Sequence, residues 1–476
     1  MAIKIPGLPL VRLHSPYWQN VIMGLIVAMT AGLYEALNLL GAGGGRPNSA
    51  QTVQVVNATL CAVWVLSSTF SGSLLNTIGP ALTACLGVVG YMIYIGSLWY
   101  FDKTGHEGFP IFAAVAIGIS AGCLFCTMGY ISMSYSEERE RGSFIALSFN
   151  LQAFGAAVGG IIPLLINRKS SKAAGVPEVV YIVFIVIQGF ACLFAFALRP
   201  PSKITREDGT QLANIKSRGF VEELKSTLEI FRDWKLLIMI PAFLPSECFL
   251  VYAGSVNAFH NSLRARSLLS FIAVVVQIPA GIGLQKILDH DKWSRRTRAI
   301  VGLVVIGVPL IAAWTWEVVR TRHYNRSQPP TNPTDWNEDA FIPIFFLFVL
   351  NWVSSVLWPY LILYFLGCLT NSPRKSANYA GIFRAMQGAG EAICFGVDSI
   401  EVPYIKEAGV LLAFYTAGVI IFGYLAVFHI SETQYFAGEE GVVLPKRVLD
   451  GHEIDEDRHV DPDSKVATEG KSGSTP

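Results

Sequence analysis

Apolar residues in this chain come in long blocks separated by short polar turns. A bilayer is crossed by roughly 20 mainly apolar residues of helix. Twelve blocks reach that length, at about 17–40, 52–75, 78–101, 109–134, 143–166, 178–198, 235–257, 267–288, 299–319, 340–365, 377–400 and 403–428. The longest polar stretch between them, 199–234, divides them six and six. The pattern predicts an all-α membrane protein with twelve transmembrane helices in two pseudo-symmetric six-helix bundles. Its expected parts are an N-terminus (1–16), a first bundle (17–198), a linker (199–234), a second bundle (235–430) and a tail (431–476). The first block is too long for a signal-peptide core and contains Glu35, so it reads as a retained span.

The linker and tail have patterns of their own. In FVEELKSTLEIFRD the apolar positions Phe220, Val221, Leu224, Leu228 and Phe231 recur at helical spacing, with Glu and Lys opposite. That predicts an amphipathic helix on the membrane surface. From Glu432 on, eleven acidic residues stand against five basic ones, which predicts a disordered tail.

Composition agrees with a membrane protein. Residues are 52% hydrophobic and 15% charged, with mean hydropathy +0.45; a soluble domain carries about 25% charged residues. The formal net charge is +1, which gives no footprint for nucleic acid. All eight cysteines lie in or beside apolar blocks, so no disulfide framework is expected. Cys123 and Cys126 have CxxC spacing, but no second pair occurs and packing is the simpler reading. There is no GxxxxGK[ST] loop and no HExxH, so neither ATP-driven work nor an embedded enzyme is expected, and no cofactor is implied.

Lys and Arg set the expected orientation. With both termini in the cytoplasm, the inner segments before the last span hold 19 of them and the outer loops 11. The sequon Asn325-Arg326-Ser327 then falls in the outer loop 320–339, where Asn325 can be glycosylated. Trp18, Trp99, Tyr100, Trp293, Trp358 and Tyr360 lie near block ends and fit interfacial anchors.

Ionisable residues inside the blocks carry the candidate chemistry. Arg384, Glu391 and Asp398 stand seven residues apart and return to almost one helix face, with Gln387 close to it. Glu247 is about 18 Å into its span and Glu391 about 21 Å into its own, both near the middle of a hydrocarbon core about 30 Å thick. Glu35 lies nearer the outer end. A charged stripe on a spanning helix is costly unless it faces protein or water. A carboxylate moved between dry and wet surroundings, or toward and away from a guanidinium, takes up and releases a proton. Glu35, Glu247, Arg384, Gln387, Glu391 and Asp398 therefore form a candidate path for a small solute, an ion or a proton. The plainer reading is static neutralisation, Arg384 and Glu391 pairing with each other or with a neighbour. Pro241 and Pro245 predict a kink on the approach to Glu247. Asn150, Gln152, Gln277 and Asn351 read as bonds between helices, and Gly155, Gly159 and Gly160 as close helix packing.

The short turns after blocks two and eight echo each other, through Gly72, Asn76, Gly79 and Pro80 in one and Gly283, Asp289, Arg295 and Arg296 in the other. These resemble the gating loops of the major facilitator superfamily. GLYEALNLLGAGG (32–44), GYISMSYSEERERG (129–142), Phe259 to Arg266 with LDHDKWSRRTRA, and Gln387-Gly-Ala-Gly390 with Asp398 resemble, in order, the Unc-ninety-three-like family within it. The resemblance covers roughly residues 15–430 and implies a twelve-helix major facilitator fold. It implies two activities: a transporter, or a regulator or trafficking partner of a channel or receptor. Asn76 and Gly79-Pro80 replace the acidic residue and basic run usual in the first gating loop, which puts a charge-locked gate on Asp289, Arg295 and Arg296 instead. The expected partners are the lipid bilayer, a small-molecule or ion substrate and, in the second reading, another membrane protein; the chain itself is expected in the plasma membrane or an endomembrane.

Overall fold

Inside a bilayer the backbone must satisfy its own hydrogen bonds, which makes helix the form each apolar block takes. The computed structural model describes residues 2–3, 11–35, 49–167, 178–214, 218–328 and 330–450. Helix α1 (Pro16–Val27) continues through a π turn at Ala28–Gly32. The helical run Ser49–Thr104 breaks at Gly79 into α2 (Val55–Ile78) and α3 (Pro80–Thr104). Gly79 has φ 81°, a left-handed conformation that suits glycine. Then come α4 (Gly108–Ser134), α5 (Arg141–Asn167) and α6 (Glu178–Ala195). The linker holds α7 (Phe220–Ile230). Beyond it lie α8 (Trp234–Phe243), α9 (Cys248–His260), α10 (Leu263–Leu288) and α11 (Arg295–Thr321). The series closes with α12 (Phe341–Val356), α13 (Trp358–Leu369), α14 (Pro373–Ser399) and α15 (Tyr404–Phe428).

Local chemistry sets several helix starts. Asp233 accepts from the Lys235 N–H at 3.0 Å, Ser262 from Ala265 at 3.3 Å and Ser294 from Thr297 at 3.1 Å. Pro16 and Pro373 take the first helical position, where a missing N–H costs nothing. Among the described residues, ten helical segments are long and apolar enough to cross a membrane, and the chain is a multi-pass integral membrane protein. Two further helical stretches occupy predicted blocks. One is 16–35, where the block's end at 36–40 lies outside the described residues. The other is α14, too rich in charge (Arg374, Lys375, Arg384, Glu391, Asp398) to count as apolar.

The predicted kink in the seventh block is a 3-10 turn, Leu244–Ser246, between α8 and α9. Segments from before and after the linker meet along two seams. On one, α14 lies against α2 and α4: a Cβ on Gly381 would stand 2.6 Å from the Ser68 carbonyl oxygen, and one on Gly72 2.7 Å from the Asn378 Cα. Cys126 on α4 donates to the Ala377 carbonyl at 3.4 Å, so it serves this packing. On the other, α5 runs beside α10 and α13. There Tyr360 donates to Asn150 at 3.2 Å, Gln277 donates to Tyr360 at 3.3 Å, and Phe149 stacks on Tyr360 at 4.3 Å. Gly155 meets the backbone of Ala28, whereas a Cβ on Gly160 would reach only Phe271, at 3.9 Å.

Two expectations are corrected. Trp358 and Tyr360 are not interfacial anchors but fully buried side chains, because helix continues past them to Leu369 and leaves them mid-span. The tail is not disordered from its start. Residues 431–450 fold across the end of the bundle that carries the linker, pairing Ala213 with Val442 and bonding Asn214 N–H to the Gly441 carbonyl at 3.1 Å. Its acidic residues find guanidinium groups and helix N-termini there, which holds a segment that composition alone would leave solvated. Residues 451–476 lie outside the described residues.

Candidate functional site

Helix α14 is packed very differently along its length. From Pro373 to Gly390 nearly every residue is buried, and from Glu391 to Ser399 none is. Arg384 and Gln387, both fully buried, sit just inside that boundary. Arg384 Nη1 donates to Gln387 Oε1 at 2.6 Å and stands 3.8 Å from Glu247 Oε1. Its guanidinium also lies 4.8, 5.0 and 5.5 Å from the ring centroids of Phe125, Phe383 and Phe149. Aromatic faces carry negative partial charge and attract a cation there. Among the described residues, Arg384 Nε and Nη2, Gln387 Nε2 and Trp64 Nε1 are buried donors without a hydrogen bond to another protein group.

The break in the seventh block puts Glu247 in this cluster. Glu247 caps α9 at φ −122° and ψ −3°, outside helical geometry, with its side chain 19% exposed. Glu35 and Glu391 both lie within electrostatic reach of Glu247, and Tyr91 feels Glu247, Arg384 and Glu391 together. Three carboxylates thus neighbour one another, and of these Glu247 is the one beside the Arg384 guanidinium. Such a group holds exchangeable protons or balances a cation. Of the two pairings open in the sequence, Arg384 takes a neighbour and not Glu391: the carboxylate beside it is Glu247, from another helix.

Gly390 makes the arrangement sterically feasible. A Cβ there would penetrate the carbonyl oxygen of Leu244 in the 3-10 turn, whereas one on Gly396 would meet nothing within 4 Å. Gly390→Ala should therefore cost about 1–3 kcal/mol by overpacking. Gly396→Ala should be neutral or gain up to about 1 kcal/mol from helix propensity. Thermal unfolding of the two purified variants checks the contrast, and equal melting points would refute the close contact.

Below the cluster the linker end of the bundle is closed by polar bonds. Arg295 Nη1 meets Glu138 Oε1 at 2.9 Å and its Nη2 donates to the Gly367 carbonyl at 2.9 Å. Arg141 bonds the same carbonyl and donates to Asn371 Oδ1 at 3.1 Å. Asp289 accepts from the N–H groups of Gly142 and Ser143 at 2.7 and 2.6 Å, and from the Ser143 hydroxyl. These groups sit at the N-terminus of α5, where a carboxylate is favoured. Asn76 donates to Glu223 Oε2 at 3.1 Å, and Glu223 Oε1 pairs with Arg374 at 3.0 Å. The tail overlies all of this. Glu439 accepts from the N–H groups of Asn371 and Ser372 at 2.8 and 3.0 Å, Glu440 pairs with Arg374 at 2.9 Å, and Gln434 N–H donates to Glu138 at 2.8 Å.

Burial alone would lift the Glu138 carboxyl, but Arg295, Arg141, the Gln434 N–H and Asn371 outweigh it and hold it below the ordinary value of 4.5. Burial holds the Asp289 carboxyl above its ordinary value, against the bonds from Ser143 and Gly142.

The structure brings Glu35, Glu247, Arg384, Gln387 and Glu391 together, and places Asn76, Asp289 and Arg295 in the closure. Two candidates fall elsewhere. Asp398 pairs with Arg326 at the far end of α14; Arg326 also meets Glu407 at 3.1 Å and covers the Tyr404 ring at 3.7 Å. A heptad keeps one face but climbs about 10 Å per step, so Asp398 is about 21 Å from Arg384 along the axis. Arg296 is exposed, because a step of about 100° from buried Arg295 turns it outward. Arg298, two further on, turns back in and donates to the Leu288 carbonyl at 3.2 Å. Asn325 is exposed beside Arg326, at the end of α14 opposite the tail. Sequence reasoning did not single out Glu138, Arg141, Glu223, Arg374 or Arg326 as site candidates; the charged run SEERERG was a signal for Glu138 and Arg141 alone.

Comparison with known proteins gives concordant matches. A family model described as UNC-93, ion channel regulatory protein, matches residues 55–301. An uncharacterised membrane protein of Schizosaccharomyces pombe is 34% identical over 419 residues, covering 87% of this chain and 84% of that one. UNC93-like protein 1 of Arabidopsis thaliana is 26% identical over 399 residues, covering 83% and 86%. The crystal structure of FucP, a major facilitator superfamily transporter in the outward conformation, superimposes with TM-score 0.62 at 11% identity, covering 87% of this chain and 99% of that one. The fold is of the major facilitator type.

Proposed function

The chain belongs to the UNC-93 family, and from that membership and its fold we propose that it moves a small solute across a membrane by alternating access, coupled to an ion gradient. The path runs past Glu35, Glu247, Arg384, Gln387 and Glu391, with Asn76, Asp289 and Arg295 in its gate. The carrying observation is the position of the Glu247–Arg384 contact, at the boundary where α14 passes from full burial to partial exposure. In this reading the partly exposed side of that boundary is aqueous and the buried side is the closed seam. Opening that seam while closing the far side would present the same carboxylates to the opposite compartment. In this reading twelve spans form two six-helix bundles, joined by the linker 199–234, with the linker end and both termini in the cytoplasm.

The test is flux in proteoliposomes, driven by a proton gradient, with a panel of candidate solutes. Glu247→Gln and Glu391→Gln should each abolish coupled uptake while the protein still folds and reaches the membrane. Undiminished uptake in both variants would remove the coupling mechanism. Asn325→Gln should abolish a glycosidase-sensitive mass shift in a eukaryotic host; a glycan at Asn325 requires that loop to face the lumen or exterior.

The family's description as ion channel regulatory supports a second reading, a non-transporting partner of a channel or receptor. It predicts co-purification with one membrane protein, and loss of that complex when 199–234 or the tail is altered. Neither reading calls for catalysis.

A further inference from the structure

We infer that α7 is a membrane-seated clamp: one face rests in the leaflet at the linker end, and another ties the segments before and after the linker together. Its sequence has three faces rather than two. With Phe220 as zero and about 100° per residue, Phe220, Val221, Leu224, Leu228 and Phe231 occupy about 0–100°. Glu222, Lys225 and Glu229 occupy about 140–200° on the same count. Glu223, Thr227 and Ile230 occupy about 280–340°.

The structure gives each face a different environment. Glu223 and Thr227 are fully buried. Lys225 and Glu229 are exposed. Phe220, Val221 and Leu228 are large apolar side chains that are nonetheless 47%, 63% and 56% exposed. Exposed apolar residues of this size on one stripe need a covering medium. The stripe continues through Phe231 into Trp234 and Leu237, both exposed on α8 at the start of a membrane-length segment. That continuity makes lipid the occupant.

The buried face carries Ile230 and two polar side chains, and each of the two polar ones touches both α2 and α14. Glu223 accepts from Asn76 on α2 and pairs with Arg374 on α14. The Thr227 hydroxyl meets Ser73 Oγ on α2 at 2.6 Å and donates to Asn378 Oδ1 on α14 at 3.0 Å. Ser73 also donates to the Glu223 carbonyl at 3.1 Å. This is the seam at which Gly72 meets Asn378. Separating α2 from α14 at this end therefore requires α7 to release one of them. The clamp serves a transporter or a regulator equally and does not depend on the choice between them.

Two measurements on full-length protein in phosphatidylcholine nanodiscs test it. A photo-crosslinking p-benzoylphenylalanine at Leu228 should give phosphatidylcholine adducts by mass spectrometry, at several-fold higher yield than the same group at Glu229. No lipid adduct at Leu228 would overturn the membrane seat. In hydrogen exchange, Glu223→Gln with Thr227→Val should speed exchange at least tenfold in peptides from 68–78 and 376–384, whereas Lys225→Ala with Glu229→Ala should not. Glu223→Gln with Thr227→Ser, which keeps the hydroxyl, should recover part of the protection that Glu223→Gln with Thr227→Val loses. If exchange quickens only within α7 itself, the clamp is refuted, because a merely docked helix would leave the seam unchanged.

Discussion

Arg384→Ala should destabilise the folded protein by about 3–5 kcal/mol, as breaking a buried ion pair from one side does. The guanidinium is fully buried among three phenylalanine rings and beside Glu247. Alanine removes the charge that faces Glu247, a carboxylate that also feels Glu35 and Glu391, and leaves the Gln387 side-chain oxygen without its Arg384 donor. Arg384→Lys should recover only part of the loss, since an ammonium cannot bond Gln387 and cover the rings with one planar group. The decisive measurement is a double-mutant cycle with Glu247→Gln, read by thermal unfolding of the purified protein. The double variant should be more stable than the sum of the single losses by about 0.5–3 kcal/mol. Strict additivity would mean that the 3.8 Å approach carries no energy, and the cluster would lose its claim to be a coupled unit.

The chain announces some of this arrangement and conceals the rest, for physical reasons. Helical blocks are legible because a bilayer admits no other backbone form, and each must bring its own length of apolar surface. Glu247, Arg384 and Glu391 stand out because ionisable groups at mid-span are costly. Their pairing is hidden, since Glu247 and Arg384 lie on different helices and no spacing rule joins them. Periodicity misplaced Asp398 because it reports a helix face and says nothing about depth. Block ends misplaced Trp358 and Tyr360, because hydropathy could not see α13 run on to Leu369.

The closure is the least legible part. Glu138, Glu223 and Arg374 sit in stretches where charge ordinarily meets water, and only the approach of the linker and tail buries them. The tail shows the limit of composition most directly. Glu432, Glu439 and Glu440 look like solvated charge in the sequence, yet each binds a specific backbone or guanidinium group at the closure. The same residues that make the tail acidic fit it to a surface of helix N-termini and arginines.

Acid should open that closure, and Glu138 sets where. Its carboxyl is held below its ordinary value of 4.5, so the closed state binds the ionised form more strongly than an open, solvated state does. A depressed pKa gives stability that is complete above the ordinary value and lost as pH falls through the depressed one. The closed state should thus be indifferent to pH between about 7 and 5 and weaken only below the ordinary carboxylate range. Glu138→Gln removes the charge at every pH. It leaves Arg295 and Arg141 buried with their main carboxylate gone, at a cost of about 3–5 kcal/mol to the closed state. Hydrogen exchange of peptides from 137–145 and 366–376 should then be fast at neutral pH in the variant, and should show no further acceleration in acid beyond that of an exposed control peptide. Wild type should be protected at neutral pH and lose protection on acidification. Asp289, with its carboxyl raised, has the opposite sign: its protonation should favour the closed state as pH falls, so Asp289→Asn should leave the direction of the wild-type acid response intact. If Glu138→Gln stays as protected as wild type, the Arg295–Glu138 contact is incidental, and the closure rests on the backbone bonds of Gly367 and the α5 N-terminus instead.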